Sequence, residues 1–190
     1  MISLTTERLL LRRPTEDDID PLAAMDADPE VMRYIGDGSA SPFDRDRAAA
    51  VIARAQREWD ERGFGMLSVV VRDTHQFAGW VALTVPAFLP EILPAVEIGW
   101  RLSRRHWGAG LATEAAGALL RYGLIDRGLD RVVSVRHVDN HRSKRVMDKI
   151  GMRFGFDAVV PATGRPAAVH EITRAEYVRD HDGSAERPHV

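Results

Sequence analysis

Arg105, Gly108 and Gly110, in the run Arg105-His106-Trp107-Gly108-Ala109-Gly110, have types and spacing that could do chemistry. They follow an apolar stretch, Ala95 to Leu102, that reads as a strand, and they open a run with helical periodicity. Two glycines let a backbone approach a ligand closely. A fresh helix N-terminus then points free N–H groups and a positive dipole end at an anion. With the arginine in front, this is a socket for a phosphate-bearing ligand. The same pattern also serves a plain tight turn into a packed helix, and this stretch alone leaves both readings open.

A second group of residues bears on the ligand's charge. Arg101, Arg104, Arg105, Arg142, Lys144, Arg145 and Lys149 fall in two short segments of a chain whose formal net charge is -2. A fold that joins them gives a mildly acidic protein one basic mouth. That suits a small polyanion better than a nucleic acid, which calls for a broader basic stripe, so no nucleic-acid partner is expected. The sequence has no cysteine, which removes disulfides, thiolate nucleophiles and cysteine metal sites. No His, Asp and Glu spacing suggests a metal. The N-terminal residues lack a basic-then-apolar signal pattern, and no stretch has the length of a membrane span. The expectation is a cytoplasmic protein, monomer or homodimer, with no membrane partner.

These residues need elements to position them. The 190 residues, 45% hydrophobic, suit one domain with a sizeable core. Leu9 to Leu11 read as a first strand that Pro14 ends. Thr15 and Asp18 resemble a capping pair for a short helix through Met25. Ser41-Pro42 starts a helix that buries Ala48, Val51, Ile52, Ala55 and Trp59 and stops at Gly63. Met66 to Val71 and Phe77 to Val85 read as a hairpin. Prolines at 86, 90 and 94 keep the next loop out of regular ladders. Its Phe88, Leu89, Ile92 and Leu93 either tuck over the core or form a lid or subunit contact.

The strand Ala95 to Leu102 carries Glu97 and Gly99, the glycine suiting a bulge or a close backbone approach. A helix from Gly110 to about Arg127 buries Leu111, Ala115, Ala118, Leu119, Tyr122 and Ile125 and ends at Gly128. Val132 to Val135 form a strand, and Asn140 caps a helix through Ile150 that turns Val146, Met147 and Ile150 inward. Phe154 to Val160 and Ala168 to Thr173 are the last strands, and a polar tail follows from Asp180.

Three features recur in one order: Glu97-Ile98-Gly99-Trp100-Arg101-Leu102, then Arg105-x-x-Gly108-x-Gly110, then Asn140-x-x-Ser143 leading to Lys149-Ile150-Gly151-Met152. This order resembles the GNAT superfamily of acyl-CoA N-acetyltransferases, and more closely its ribosomal-protein N-terminal acetyltransferase branch. Thr6-Glu7-Arg8-Leu9-Leu10-Leu11-Arg12 and the run Trp107 to Ala115 are similar to that branch too. The resemblance runs from about Thr6 to Tyr177. It implies a single-domain α/β (α+β) fold over residues 1–179, with 180–190 as the tail. The implied sheet is mixed, mostly antiparallel, of about seven strands splayed in the middle, with about four helices around it.

By the same resemblance, acetyl-CoA lies in the splay as co-substrate. The backbone of Trp100, Arg101 and Leu102 pairs with its pantetheine arm. Amides of His106, Trp107, Gly108, Ala109 and Gly110 hold the pyrophosphate, Arg105 heads the motif, and Asn140 contacts the pantetheine. Asparagine is also a favoured helix N-cap, and both roles can hold at once.

Acetyl transfer needs a neutral amine, a base for its proton, a donor to the oxyanion and an exit for the thiolate. Glu97 is the candidate base, its pKa raised by burial, against the alternative of a structural hydrogen-bonder. Many members of the superfamily carry a tyrosine seven positions after the asparagine; here that position is Met147. Ser143 matches the serine that the ribosomal-protein branch commonly has three positions after that asparagine, and by this resemblance it donates a hydrogen bond to the sulfur, or else it serves in capping. Without a cysteine acyl-enzyme, direct transfer in a ternary complex is the simplest course. His75 and His137 read as surface or satisfied side chains.

Two other classes remain at this point: a non-catalytic acyl-CoA-binding sensor, and a dinucleotide-binding domain, which the single Gly-x-Gly serves poorly. The amine acceptor is not legible. Asp17, Asp18, Asp20, Asp26, Asp28 and Glu30 either attract a cationic amine or form a solvated helix face.

Overall fold

Alternating apolar residues build the strands, and a computed structural model describes them within residues 2–182. The strands are β1 (Ser3–Thr5), β2 (Leu9–Arg12), β3 (Met66–Val71), β4 (Phe77–Thr84), β5 (Val96–Leu102), β6 (Arg131–His137), β7 (Arg153–Val160) and β8 (Arg165–Thr173). They form one sheet in the order β1-β2-β3-β4-β5-β6-β8-β7. Only β5 and β6 run parallel among the described neighbours. The α-helices are α1 (Ile19–Asp26), α2 (Pro29–Met32), α3 (Arg45–Arg62), α4 (Leu111–Arg121), α5 (His141–Lys149) and α6 (Arg174–Asp182). Among the described residues there are thus eight strands and six α-helices, where about seven and about four were expected. The short β1, α2 and α6 carry too little periodicity to stand out in sequence.

Each face of the sheet has its own cover. Leu111, Ala115, Leu119 and Leu120 of α4, with Met147 of α5, pack on Leu9, Leu11, Val81 and Ile98. On the other face Leu22, Ala23 and Met25 of α1 meet Ala48 and Ile52 of α3, against Trp80. The loop after β4 covers the rest of that face, with Leu89 and Ile92 buried on Val133, Ala167 and Val169. So the loop tucks over the core, while Phe88 and Leu93 stay exposed. Because side chains alternate along a strand, Glu97, Gly99 and Arg101 share the second face and Ile98, Trp100 and Leu102 the first.

Several local expectations shift. The helix read from Ser41-Pro42 starts at Arg45, because Asp44 is the N-cap and accepts from the Arg47 amide at 2.9 Å. The long helix changes to a π turn over Tyr122–Asp126. A π turn adds one residue per turn. This moves Leu124 into the core and leaves Ile125 exposed, the reverse of the straight-helix reading. Gly99 lies in regular register with Ala82, and the bulge falls at Val69/Val70, where β3 faces Gly79. The first three residues of the expected tail belong to α6; the rest lies outside the described residues. No helix among the described residues is long and apolar enough to cross a membrane.

Candidate active site

The sheet forks between β5 and β6. The two strands pair only at Val96↔Val132 and Glu97↔Val133, then part. Just past the fork the Ser134 hydroxyl donates to the Ile98 carbonyl at 2.8 Å. At the far end the Trp107 indole N–H donates to the Leu102 carbonyl at 2.7 Å. On the opposite side of β5 the Ser103 amide donates to Ala78 of β4 at 2.9 Å. Backbone groups alternate as side chains do, so even-numbered residues face the opening and odd-numbered ones face β4. Trp100 therefore turns an N–H and a C=O into the opening with no partner among the described residues. Arg101 does not fit its expected backbone role, since its polar groups belong to the β4 ladder. Leu102 has already given its carbonyl to Trp107.

The glycine turn stands at the mouth of that opening. A single 3-10 turn over Arg104–His106 leads to Gly108 and Gly110, both left-handed, with φ of 80° and 79°. Residues with a Cβ adopt this conformation reluctantly, which is why the turn uses glycine at both positions. The His106 and Trp107 amides close the 3-10 turn on Ser103 and Arg104 at 2.9 and 3.1 Å. The amides of Gly108, Ala109 and Gly110 have no acceptor among the described residues. With the open first turn of α4 they form an anion nest. Of the five expected amides, these three are free. Arg105 bends back, donating to the His106 ring at 3.1 Å and to the Phe77 carbonyl at 3.3 Å. Burial, then the Arg105 charge, pushes the His106 pKa down and favours a neutral ring.

Helix α5 supplies the facing wall. The Asn140 side-chain carbonyl accepts from the Ser143 amide at 3.1 Å, an N-cap that leaves the Asn140 amide group free to donate. The Ser143 hydroxyl has no partner among the described residues. Arg142 lays its guanidinium over the Trp107 ring at 4.6 Å, which ties α5 to the glycine turn. The Trp107 ring thus bonds to the end of β5 and stacks under α5.

Glu97 sits at the fork itself. Its stem is half-buried, but its carboxylate lies deep and receives one long bond, from the Val135 amide at 3.4 Å. Desolvation raises its pKa from 4.5 to about 8, and the Val135 bond only partly opposes this. Among the described residues nothing basic pairs with it. This is a carboxylate poised to exchange a proton near neutrality.

The same face holds the acids of the first helical region, and most are already paired. Arg12 grips Asp18 through both arms at 2.7 and 2.8 Å, and Ser68 donates to it at 2.7 Å. Arg45 pairs with Asp20. Arg101 bonds Asp26 at 2.6 Å while lying over the Trp80 ring at 5.1 Å, and Arg104 meets Asp28 at 3.2 Å. Asp18, Asp26 and Asp28 are thus tied to arginines while Asp17, Asp20 and Glu30 stay exposed, and the expected basic mouth loses Arg101 and Arg104 to this region. Lys144 likewise pairs with Asp148 at 2.8 Å. His137 lies 5.4 Å from the Tyr34 ring, with its pKa lowered first by burial, and His75 is exposed in its turn. Among the described residues no three His, Cys, Asp or Glu side chains gather as a metal site.

Comparison with known proteins fits this geometry. Residues 8–153 match the family model described as an acetyltransferase (GNAT) domain. The chain is 32% identical over 177 residues to YkkB, an uncharacterized protein of Bacillus subtilis, covering 88% of this chain and 94% of YkkB. An acetyltransferase from Agrobacterium tumefaciens superposes with a TM-score of 0.75 at 26% identity, over 90% of this chain and 94% of that one. A ribosomal L7/L12 alpha-N-protein acetyltransferase in complex with coenzyme A superposes with a TM-score of 0.72 at 14% identity. That match spans 90% of this chain and 98% of the other, and at such identity it speaks for the fold.

Proposed function

The chain belongs to the GNAT family of acetyltransferases, and from that premise we propose that it moves an acetyl group from acetyl-CoA directly to a primary amine. The carrying observation is the fork. One strand edge opens at Trp100, an anion nest stands at its mouth, and a carboxylate of raised pKa sits at its base. A pantetheine arm can pair with the Trp100 backbone while the pyrophosphate rests on the Gly108, Ala109 and Gly110 amides. The Asn140 amide group is free to donate to the arm.

The reaction follows from the parts. The acceptor enters from the face that bears Glu97. Its nitrogen attacks the thioester carbon, the carbonyl π electrons move onto oxygen, and an unpaired amide of β5 receives the oxyanion. Glu97 takes the proton from the amine, directly or through water. Its pKa of about 8 matches an α-amine, normally about 7.7–8.0, better than a lysine amine at about 10.4. The C–S bond breaks as the carbonyl reforms, and Ser143 donates a hydrogen bond to the departing thiolate. The sequence has no cysteine to hold the acetyl group in between; direct transfer with both substrates bound together is the simplest course, and proximity then supplies much of the rate.

The test is a turnover screen that follows release of CoA thiol. Acceptors are peptides with free N-termini, amino acids, polyamines and aminoglycosides. Acetylation of at least one α-amine class is expected. Failure to consume acetyl-CoA with every amine would remove the assignment.

A further inference from the structure

The motif Thr6–Arg12 and the acid Glu114 take no part in the chemistry described so far, yet they converge on the glycine turn. Glu114 stands in the first turn of α4. One of its oxygens accepts from the Thr6 hydroxyl at 2.6 Å and from the Arg8 amide at 2.8 Å. The other meets the Arg8 guanidinium twice, at 2.7 Å from Nε and 2.6 Å from Nη2. The remaining arm, Nη1, donates to the Ala109 carbonyl at 2.8 Å.

Ala109 lies between the two left-handed glycines. Its carbonyl and the Gly110 N–H belong to one planar trans peptide and point opposite ways. Holding the carbonyl on Arg8 therefore aims the Gly110 N–H into the nest. A turn flanked by glycines has little stiffness of its own, so the clamp must come from outside it. We propose that Arg8, gripped by Glu114 and Thr6, is a positioning residue that sets the turn for the pyrophosphate of the acyl donor; this rests on the donor reading given above.

The charges agree. Burial raises the Glu114 pKa, but bonds from Thr6 and Arg8 outweigh it and hold the group below its ordinary value, as an anion. A bare carboxylate there would repel a pyrophosphate. Arg8 cancels that charge while it holds the peptide. Losing Arg8 frees the turn and uncovers the anion together.

The experiment compares two donors, acetyl-CoA and acetyl-pantetheine, which lacks the pyrophosphate. The wild-type protein is expected to prefer acetyl-CoA strongly in kcat/KM. Arg8→Ala is expected to cut that preference about tenfold, the scale of a lost charged hydrogen bond, through the KM for acetyl-CoA. Glu114→Gln keeps one acceptor oxygen but loses the charge and the second acceptor, and is expected to cut the preference about threefold. It carries the test if Arg8→Ala does not fold. A mere loss of stability lowers turnover with both donors and leaves their ratio intact. A strong wild-type preference that neither variant reduces overturns the clamp. No wild-type preference overturns the donor reading of the turn itself, and the clamp with it.

Discussion

The Glu97 carboxylate accepts the Val135 amide across the fork at 3.4 Å, just beyond the last rung that joins β5 to β6. At that length the bond is weak and offsets little of the cost of burying a charge. The strands part here, so the opening begins at an acid that is hard to ionise.

If Glu97 is the base, kcat/KM should rise with pH and level off above about 8, the pKa at which the carboxylate becomes ionised. Glu97→Gln should lower kcat by about a hundredfold or more and leave only the limb that the acceptor's own ionisation gives. Donor KM should stay close to wild type. The stability sign is opposite. The folded-state pKa lies above the ordinary 4.5, so the folded state holds a proton that the unfolded chain releases. That contribution is full below about 4.5 and is lost as pH rises through about 8. Thermal melts at pH 9 should therefore find Glu97→Gln at least as stable as wild type. A variant kcat close to that of wild type rules out the base.

Asn140 has a cap role and a proposed ligand role, and two substitutions separate them. Asn140→Ala should cost about 1 kcal/mol of stability and raise the acetyl-CoA KM. Asn140→Asp caps equally well but has no amide donor, so it should melt like wild type and still raise KM about threefold or more. If Asp restores KM together with stability, Asn140 is a cap and nothing else.

Ser143→Ala should leave the fold intact, because the residue's bond to Asn140 uses its backbone amide. A hydrogen bond to a leaving thiolate predicts a fall in kcat of about tenfold at unchanged donor KM. Single-turnover kinetics with saturating acetyl-CoA will measure it. Unchanged kcat means that the thiolate leaves without this help.

Gly79 is the most constrained glycine among the described residues. At φ 147°, a Cβ there would lie 2.1 Å from the Arg101 carbonyl oxygen and 2.7 Å from the Leu102 Cα. Both atoms are backbone of the forked strand and cannot swing aside. Gly79→Ala should cost about 3 kcal/mol or more, a fall in Tm of about 10 °C. Calorimetry will show it; a variant with wild-type Tm would mean that β5 yields easily.

Much of this was legible because the informative residues are local. Glycine marks the left-handed turn at Gly108 and Gly110, asparagine marks the start of α5, and the β3–β4 hairpin shows in its apolar runs. What stayed hidden depends on partners far along the chain. The acids near α1 read as one charged cluster, yet Asp26 answers to Arg101 and Asp28 to Arg104. Trp100 and Arg101 look alike as strand residues, and only register decides which turns its backbone to the opening. Ile125 misled because a π turn changes the period midway. His170 gave no signal at all, although it is buried with both ring nitrogens unpartnered among the described residues.

Trp107 joins the end of β5 to helix α5, with its N–H on Leu102 and its ring beneath Arg142. The two banks of the opening are thus spliced at the mouth before any ligand arrives. A preformed socket of this kind spends little conformational entropy on capture. Calorimetric titration with CoA should then give a heat-capacity change set by the surface the ligand covers, without the larger contribution that accompanies folding of a loop.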